Sequence, residues 1–313
     1  MDFSGFHVIA IISNPLQYNS RYNLYKIFAE DIVRKGAQLW ALEMQTGARP
    51  HVITTKENKR HIQLWSSALP GILWQKENLI NVGISHITSR NPDWRYIAWI
   101  DADIKVEAGH LEKVVQALQH WDVVQAWSHA IDLGPNGETI NIQKSFMYCY
   151  WNNIVIPSAN EYSVGSHPGY FWAIRREALN KVGRLIDWGI LGSSDRHMAC
   201  AFVGKVEHSV HGDMHPTYHK WLKIWQDRAE LHLRRNVGYV PGTIRHMWHG
   251  KKANRGYSSR WKILVEHQFN PETDIKMDVS GLWQLVAETP RQISLRDDIR
   301  RYFAARNEDG IDV

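Results

Sequence analysis

Apolar residues in this chain come in short runs that stop at turn formers. "HVIAII" (His7 to Ile12) is strand-like and ends at Ser13-Asn14-Pro15. A helical spacing from Asn23 to Lys35 halts at Gly36, and "QLWAL" (Gln38 to Leu42) predicts a second strand ending at Glu43. Leu73, Ile80, Ile84 and Ile87 mark one face of a further helix, which feeds the uncharged run "YIAWI" (Tyr96 to Ile100). Such a run predicts a strand buried on both faces, as in a parallel sheet. Beyond it, Leu111 to His120 predicts a helix and Asp122 to Ser128 a strand, followed by the Gly134-Pro135-Asn136-Gly137 loop. Arg175 to Val182 predicts a short helix, and a loop ending at Ser193 or Ser194 opens another.

Strands alternating with helices predict the α/β class: a Rossmann-like, mostly parallel central sheet flanked by helices. Ligands in such sheets sit beyond the carboxyl ends of the strands. Ser13, Asn14, Pro15 and Glu43 fall there, as do Asp101 and Asp103. By spacing alone Asn14-Pro15 also reads as a plain turn and Glu43 as a solvated side chain.

Composition narrows the class. The chain has 313 residues, 44% hydrophobic and 22% charged, in keeping with an ordinary folded domain. Met1 to Ser13 lacks the features of a secretion signal, and no apolar stretch approaches the roughly 18 residues of a membrane span, so the expectation is a cytoplasmic protein with no membrane span. Two cysteines, Cys149 and Cys200, predict buried small hydrophobes rather than a disulfide or a zinc site. A formal charge of +5 tilts toward anionic partners, and 15 tryptophans suggest rings lining a cleft.

Asp101 and Asp103 leave the same side of a chain that stays extended, where hard oxygen ligands bind Mg2+ or Mn2+. Alone, Asp-x-Asp reads more often as a polar loop. Its place at the mouth of a βαβ sheet favours the metal.

Four segments carry a resemblance: "WQKENLINVGI", "YIAWIDADIKV", "HPGYFWAIRREALNKVGRLIDWGILGSSDRHM" and "IRHMWHGKKANRGYSSRWKIL". In order and approximate spacing they resemble metal-dependent glycosyltransferases of the GT-A fold, above all the β-1,4-galactosyltransferase-like group. The chain also resembles glycosyltransferase-like proteins of bacteriophages and large DNA viruses. The resemblance implies residues 1–265 as a GT-A domain and 266–313 as a C-terminal helical extension packed on it. It implies Asp101 and Asp103 as holders of the metal and the donor diphosphate, with His246 or His249 as a further ligand. Adding imidazole to carboxylate favours Mn2+ over Mg2+. Asp195 matches the base of inverting enzymes, although Ser193-Ser194 stand where that group carries clustered acids. A helix-capping or ion-paired Asp195 is the alternative.

The implied donor is a nucleotide sugar, a UDP-sugar first, with Ser13, Asn14, Pro15, Glu43, Lys76 and Arg21 near its base, ribose or phosphates. Trp188, Gly192 and His167-Pro168-Gly169 would shape the sugar and acceptor pocket, and Arg255, Tyr257 and Arg260 would fold over the phosphates. The acceptor stays open between a hydroxymethylated base of phage DNA, contacted by Lys251, Lys252, Arg255, Arg260, Arg234 and Arg235, and a glycan or lipid-linked hydroxyl. A protein of GT-A fold that binds nucleotide or nucleic acid without turnover is the alternative from another class.

Overall fold

The opening pattern folds as a β-α-β unit. In the computed structural model, which describes residues 2–66, 72–156, 165–256 and 259–310, β1 (Phe6–Ser13) runs into α1 (Asn19–Arg34) and β2 (Gln38–Thr46) returns parallel beside β1. β3 (His61–Ser66) pairs with β2, α2 (Lys76–Arg90) crosses back, and β4 (Tyr96–Ile100) pairs with β1 on its other side. Next come β5 (Ile104–Val106), α3 (His110–Ala117), β6 (Val123–Gln125), β7 (His129–Leu133) and β8 (Thr139–Lys144). α4 (Phe146–Trp151), β9 (Phe171–Arg175), α5 (Arg176–Val182), α6 (Ser194–Phe202) and α7 (Pro216–Leu233) follow. The chain continues with β10 (Val237–Tyr239), β11 (Thr243–His246), α8 (Arg260–Glu266), the hairpin β12 (Ile275–Met277) and β13 (Trp283–Leu285), and α9 (Pro290–Ala304).

Seven strands form the central sheet in the order β10-β6-β9-β4-β1-β2-β3, with β9 antiparallel to both neighbours and the other pairings parallel. The expected class holds: α/β, a mostly parallel sheet flanked by helices. Alternation along the strands sends Ile9, Ile97 and Trp99 into one core with α2, α5, α6 and α7. Val8, Ala10, Ala98 and Ile100 enter the other, with α1 and α3. β1 is the turning point of the topology. Its neighbours β2 and β4 are reached in opposite directions, which leaves a crevice at the carboxyl ends of β1 and β4.

Helix α2 is clamped onto this sheet by the Asn81-Val82-Gly83 motif. A Cβ on Gly83 would lie 3.0 Å from Leu42 Cδ1 and 3.3 Å from Ile9 Cδ1, so the absence of a side chain sets the close approach. Asn81 donates to Asp187 Oδ2 at 2.9 Å and Leu185 O at 3.1 Å, and accepts from Leu185 N at 3.0 Å. The motif therefore fixes the helix whose first turn carries Lys76 and Glu77.

A second, four-stranded sheet, β5-β11-β7-β8, has no counterpart in the predicted pattern. Its strands are three to six residues long. That is too short for a clear period-2 signal. Boundaries also moved: α1 begins four residues before Asn23, β2 runs on to Thr46, and the strand expected over Asp122 to Ser128 is Val123–Gln125. Cys149 and Cys200 are buried free thiols.

Candidate functional site

Two hollows open at the switch point and share Arg21, Trp74, Lys76, Asp101, Asp103 and Arg306. The smaller, about 120 Å³, lies between the end of β1 (Ser13, Asn14, Pro15), Tyr18, Leu24 and Phe303. The larger, about 580 Å³, is walled by Glu77, Ser166, Asp195, His246, His249 and Trp261 among others.

The second sheet assembles the centre between them. After β4 the chain turns, with Ile104 N donating to Asp101 O at 3.0 Å, so Asp101 and Asp103 do not remain on one extended side. Asp101 pairs with Lys76. Asp103 turns the other way, where the β5–β11 register sets His246 against Ile104 and Met247 N donates to Asp103 O at 2.9 Å. Asp103, His246 and His249 offer ligand atoms within 4.8 Å of one another, all buried. Asp101 stands outside that group, because its carboxylate is drawn to Lys76.

The protonation pattern of the three is set by their outer partners. The β11–β7 register sets His246 opposite Asp132, whose Oδ1 is 3.1 Å from Nδ1. A carboxylate there accepts a hydrogen bond from Nδ1–H, which leaves Nε2 with its lone pair. His249 Nε2 lies 2.9 Å from Arg255 Nη2, and a guanidinium can only donate, so this nitrogen too is an acceptor. It sits 3.0 Å from Asp103 Oδ2 and 3.3 Å from His246 Nε2. Asp103 Oδ1 is buried without a hydrogen-bond partner. Asp103, His246 and His249 thus turn one candidate ligand atom each toward a common point, where a divalent cation would replace the Arg255 contact at His249 Nε2. The donor set fits a metal ion.

Electrostatics agree. Burial holds both imidazoles below the ordinary histidine value, helped at His249 by Arg255 and Arg21. Burial pushes Asp103 up, but a proton on His249 or His246 and the Arg21 guanidinium hold it well below the usual carboxylate range, and a divalent cation would take that proton's place. Asp132 is likewise held low against burial, by the His246 hydrogen bond and by Lys252, whose Nζ is 2.6 Å away. Asp132 also accepts from Tyr170 Oη at 3.0 Å. Tyr170 stacks on His246 at 4.9 Å with φ at +75°, a backbone state uncommon for a bulky residue and held here by those contacts.

Asp195 lies in the first turn of α6 and lines the larger hollow. Its Oδ1 accepts from Arg196 N at 2.8 Å, and a Cβ on Gly169 would lie 2.6 Å from Oδ2. Gly169 is what lets this carboxylate reach the cleft. Glu77, four-hundredths exposed, is pushed up to about 8 by burial, against Lys76 and with Asp195. It is protonated near neutrality. Because the native state then holds a proton that the unfolded chain releases above its ordinary value, this group favours folding at low pH. That contribution fades as pH rises toward about 8. Between pH 5 and pH 8 the protein should lose on the order of 3 kcal/mol more stability than Glu77→Gln. Urea unfolding of both at the two pH values checks this, and parallel pH dependences would contradict it.

Other expected residues fall as follows. Ser13, Asn14, Pro15, Arg21 and Lys76 line the smaller hollow, with the Asn14 amide occupied by Tyr18. Glu43 is not brought to the cleft: its carboxylate accepts from Val52 N, Ile53 N and Thr54 N and the Thr54 hydroxyl, tying a loop to β2. Gly192, His167 and Pro168 line the larger hollow, whereas Trp188 packs in the core against Trp221. Tyr257 lies outside the described residues. The basic stretch does not form one face: Lys252, Arg255 and Arg260 turn inward to Asp132, His249 and Ser193, while Arg234 ends α7 beside Lys181 and Asp122. Asp132 and Glu308 were missed by sequence reasoning. A strand register and a chain reversal bring them in, and neither has a local signal.

Residues 74–183 match the family model described as Glycosyl transferase family 2. That span carries α2, β4, both aspartates, Asp132, β9 and α5. No curated protein matches the sequence. Among solved structures, the catalytic domain of Drosophila beta1,4galactosyltransferase 7 in complex with xylobiose is similar at 10% identity over 93% of this chain and 98% of that one, with a TM-score of 0.37. A mutant of that Drosophila enzyme in complex with manganese, UDP-Gal and xylobiose is similar at 10% identity over the same shares, with a TM-score of 0.40. A glycosyltransferase involved in the glycosylation of the major capsid of PBCV-1 is similar at 9% identity over 56% of this chain and 62% of that one, with a TM-score of 0.24. Among the described residues no helix is long and apolar enough to cross a membrane.

Proposed function

We propose that the protein is a metal-dependent, inverting glycosyltransferase that moves a sugar from a nucleotide-sugar donor to a hydroxyl acceptor. The observation that carries this is the gathering of three buried candidate ligand atoms, from Asp103, His246 and His249, at the sheet's switch point, inside a cleft that also holds Asp195. The family match over residues 74–183 supports the same reading.

Asp103, His246 and His249 would hold the cation, and two imidazoles beside one carboxylate favour Mn2+. Bound there, the cation would offset the diphosphate charge and stabilise the departing nucleoside diphosphate. The smaller hollow suits the nucleoside, a UDP-sugar being the first candidate, between Ser13 to Pro15 and Phe303. Asp195 accepts the acceptor hydroxyl's proton as that oxygen attacks the anomeric carbon. One displacement with no covalent sugar on the protein inverts the anomeric configuration. The lining of the larger hollow favours a carbohydrate hydroxyl as acceptor: Trp74 and Trp261 contribute indole surface, Asn141 an amide, and the buried Ser166 Oγ has no partner. A duplex DNA acceptor has less support, because three of the six cations invoked for it, Lys252, Arg255 and Arg260, are turned inward.

The test is turnover of a panel of nucleotide sugars with Mn2+, with and without EDTA. At least one donor should be hydrolysed in the metal's presence and none in its absence. Neither turnover nor nucleotide-diphosphate binding with any divalent cation would sink the reading.

A further inference from the structure

The tail after α9 reaches back into the metal centre. Asp309 caps α1, its two carboxylate oxygens each 2.9 Å from Asn19 N and Ser20 N, and Trp248 Nε1 donates to Gly310 O at 3.0 Å. These contacts pin the tail between α1 and the segment carrying His249. Glu308, between them, is buried and accepts from Arg306 Nε at 2.7 Å through Oε1. Its Oε2 pairs with Arg21 and lies 3.6 Å from His249 Nδ1. Arg21 Nη1 in turn stands 3.7 Å from Asp103 Oδ2. Asp103, His249, Glu308 and Arg21 therefore close a ring of four side chains.

The arrangement resembles the one at His246 at longer range: Asp132 Oδ1 is 3.1 Å from Nδ1 of His246, and Glu308 Oε2 is 3.6 Å from Nδ1 of His249, while Arg255 Nη2 is 2.9 Å from its Nε2. A ligating histidine that gives its other nitrogen's proton to a carboxylate is fixed in tautomer and ring orientation. We infer that Glu308 is a positioning residue for His249, so that the metal centre is completed by the C-terminal tail. This rests on the metal-dependent reading above. It adds a residue 59 positions beyond His249, which no local motif points to.

The test is Mn2+ binding to the full chain, read by electron paramagnetic resonance titration, with electron spin echo modulation reporting the imidazole nitrogens bound. The unsubstituted protein should bind one Mn2+ with two imidazoles. Glu308→Gln should bind roughly 10- to 100-fold more weakly and show one imidazole, with the melting temperature of the metal-free protein measured alongside. Glu308→Asp, which keeps the charge that Arg21 and Arg306 need but sits a methylene short of His249, should fold and fall between the two. It serves as the test if the Gln variant fails to fold. Affinity within twofold of the unsubstituted protein, with two imidazoles retained, in whichever variant folds, overturns the inference and leaves the functional reading intact. Absence of Mn2+ binding in the unsubstituted protein overturns both.

Discussion

Asp103→Asn is expected to lower kcat/KM by about a thousandfold, close to 4 kcal/mol of transition-state stabilisation, and to raise the Mn2+ concentration at half-saturation at least tenfold. The amide keeps the side chain's shape but removes the one anionic member of the proposed ligand trio, and two neutral imidazoles hold a hard divalent cation poorly. The variant should still fold. Arg21 is left with Glu308, so the loss of Asp103 does not strand its charge. His249 keeps Arg255, and Met247 N bonds to the backbone oxygen at 103, which the substitution does not touch. Steady-state turnover across a Mn2+ series, with thermal melting as the folding control, measures both effects. Unchanged metal dependence would assign the cation elsewhere. Asp101→Asn should be milder in metal affinity, since Asp101 pairs with Lys76 outside the trio. The ordering of the two variants separates the roles of the two aspartates.

The sequence's apolar runs were long enough to expose β1, β2 and β4, because a strand buried on both faces needs an unbroken apolar stretch and a helix needs spaced ones. Once β4 was placed, the polar residues at its end fell at the mouth of the sheet by topology alone. That logic reached Asp101, Asp103 and Ser13 to Pro15, and it misplaced Glu43. The end of β2 is also a carboxyl end, but a neighbouring loop supplies three backbone N–H groups and takes the carboxylate for itself. Asp132 was illegible for another reason. "HAIDL" is half-exposed and five residues long, and only its register against β11 gives its aspartate a histidine partner. The antiparallel β9 was hidden too: "FWAIR" runs straight into the helix predicted at Arg175, and nothing in its composition tells its direction. Most of the tryptophans expected in a cleft pack in the core, where a large apolar ring is worth more. Glu308 depends on the tail's return to α1, which is a property of the whole fold.

Asp195→Asn is expected to lower kcat by 100- to 10,000-fold while leaving the affinities for Mn2+ and for nucleoside diphosphate unchanged. Asp195 is the proposed base; the acids that line the larger hollow are Glu77, Asp101, Asp103 and Asp195 among the described residues. Glu77 is protonated near neutrality and cannot take a proton there. Asp101 is neutralised by Lys76, and Asp103 faces the two imidazoles. Asp195 uses Oδ1 on the backbone N–H of Arg196 and keeps Oδ2 at the glycine gap left by Gly169. The amide variant preserves the Oδ1 bond and the volume, so the helix start should be undisturbed. What it loses is the capacity to accept a proton as the acceptor oxygen attacks. Single-turnover kinetics isolate that step from product release, and nuclear magnetic resonance of the product reads the anomeric configuration. A kcat within threefold of the unsubstituted enzyme would remove Asp195 as base, and retention of configuration would require a nucleophile where this cleft offers a base.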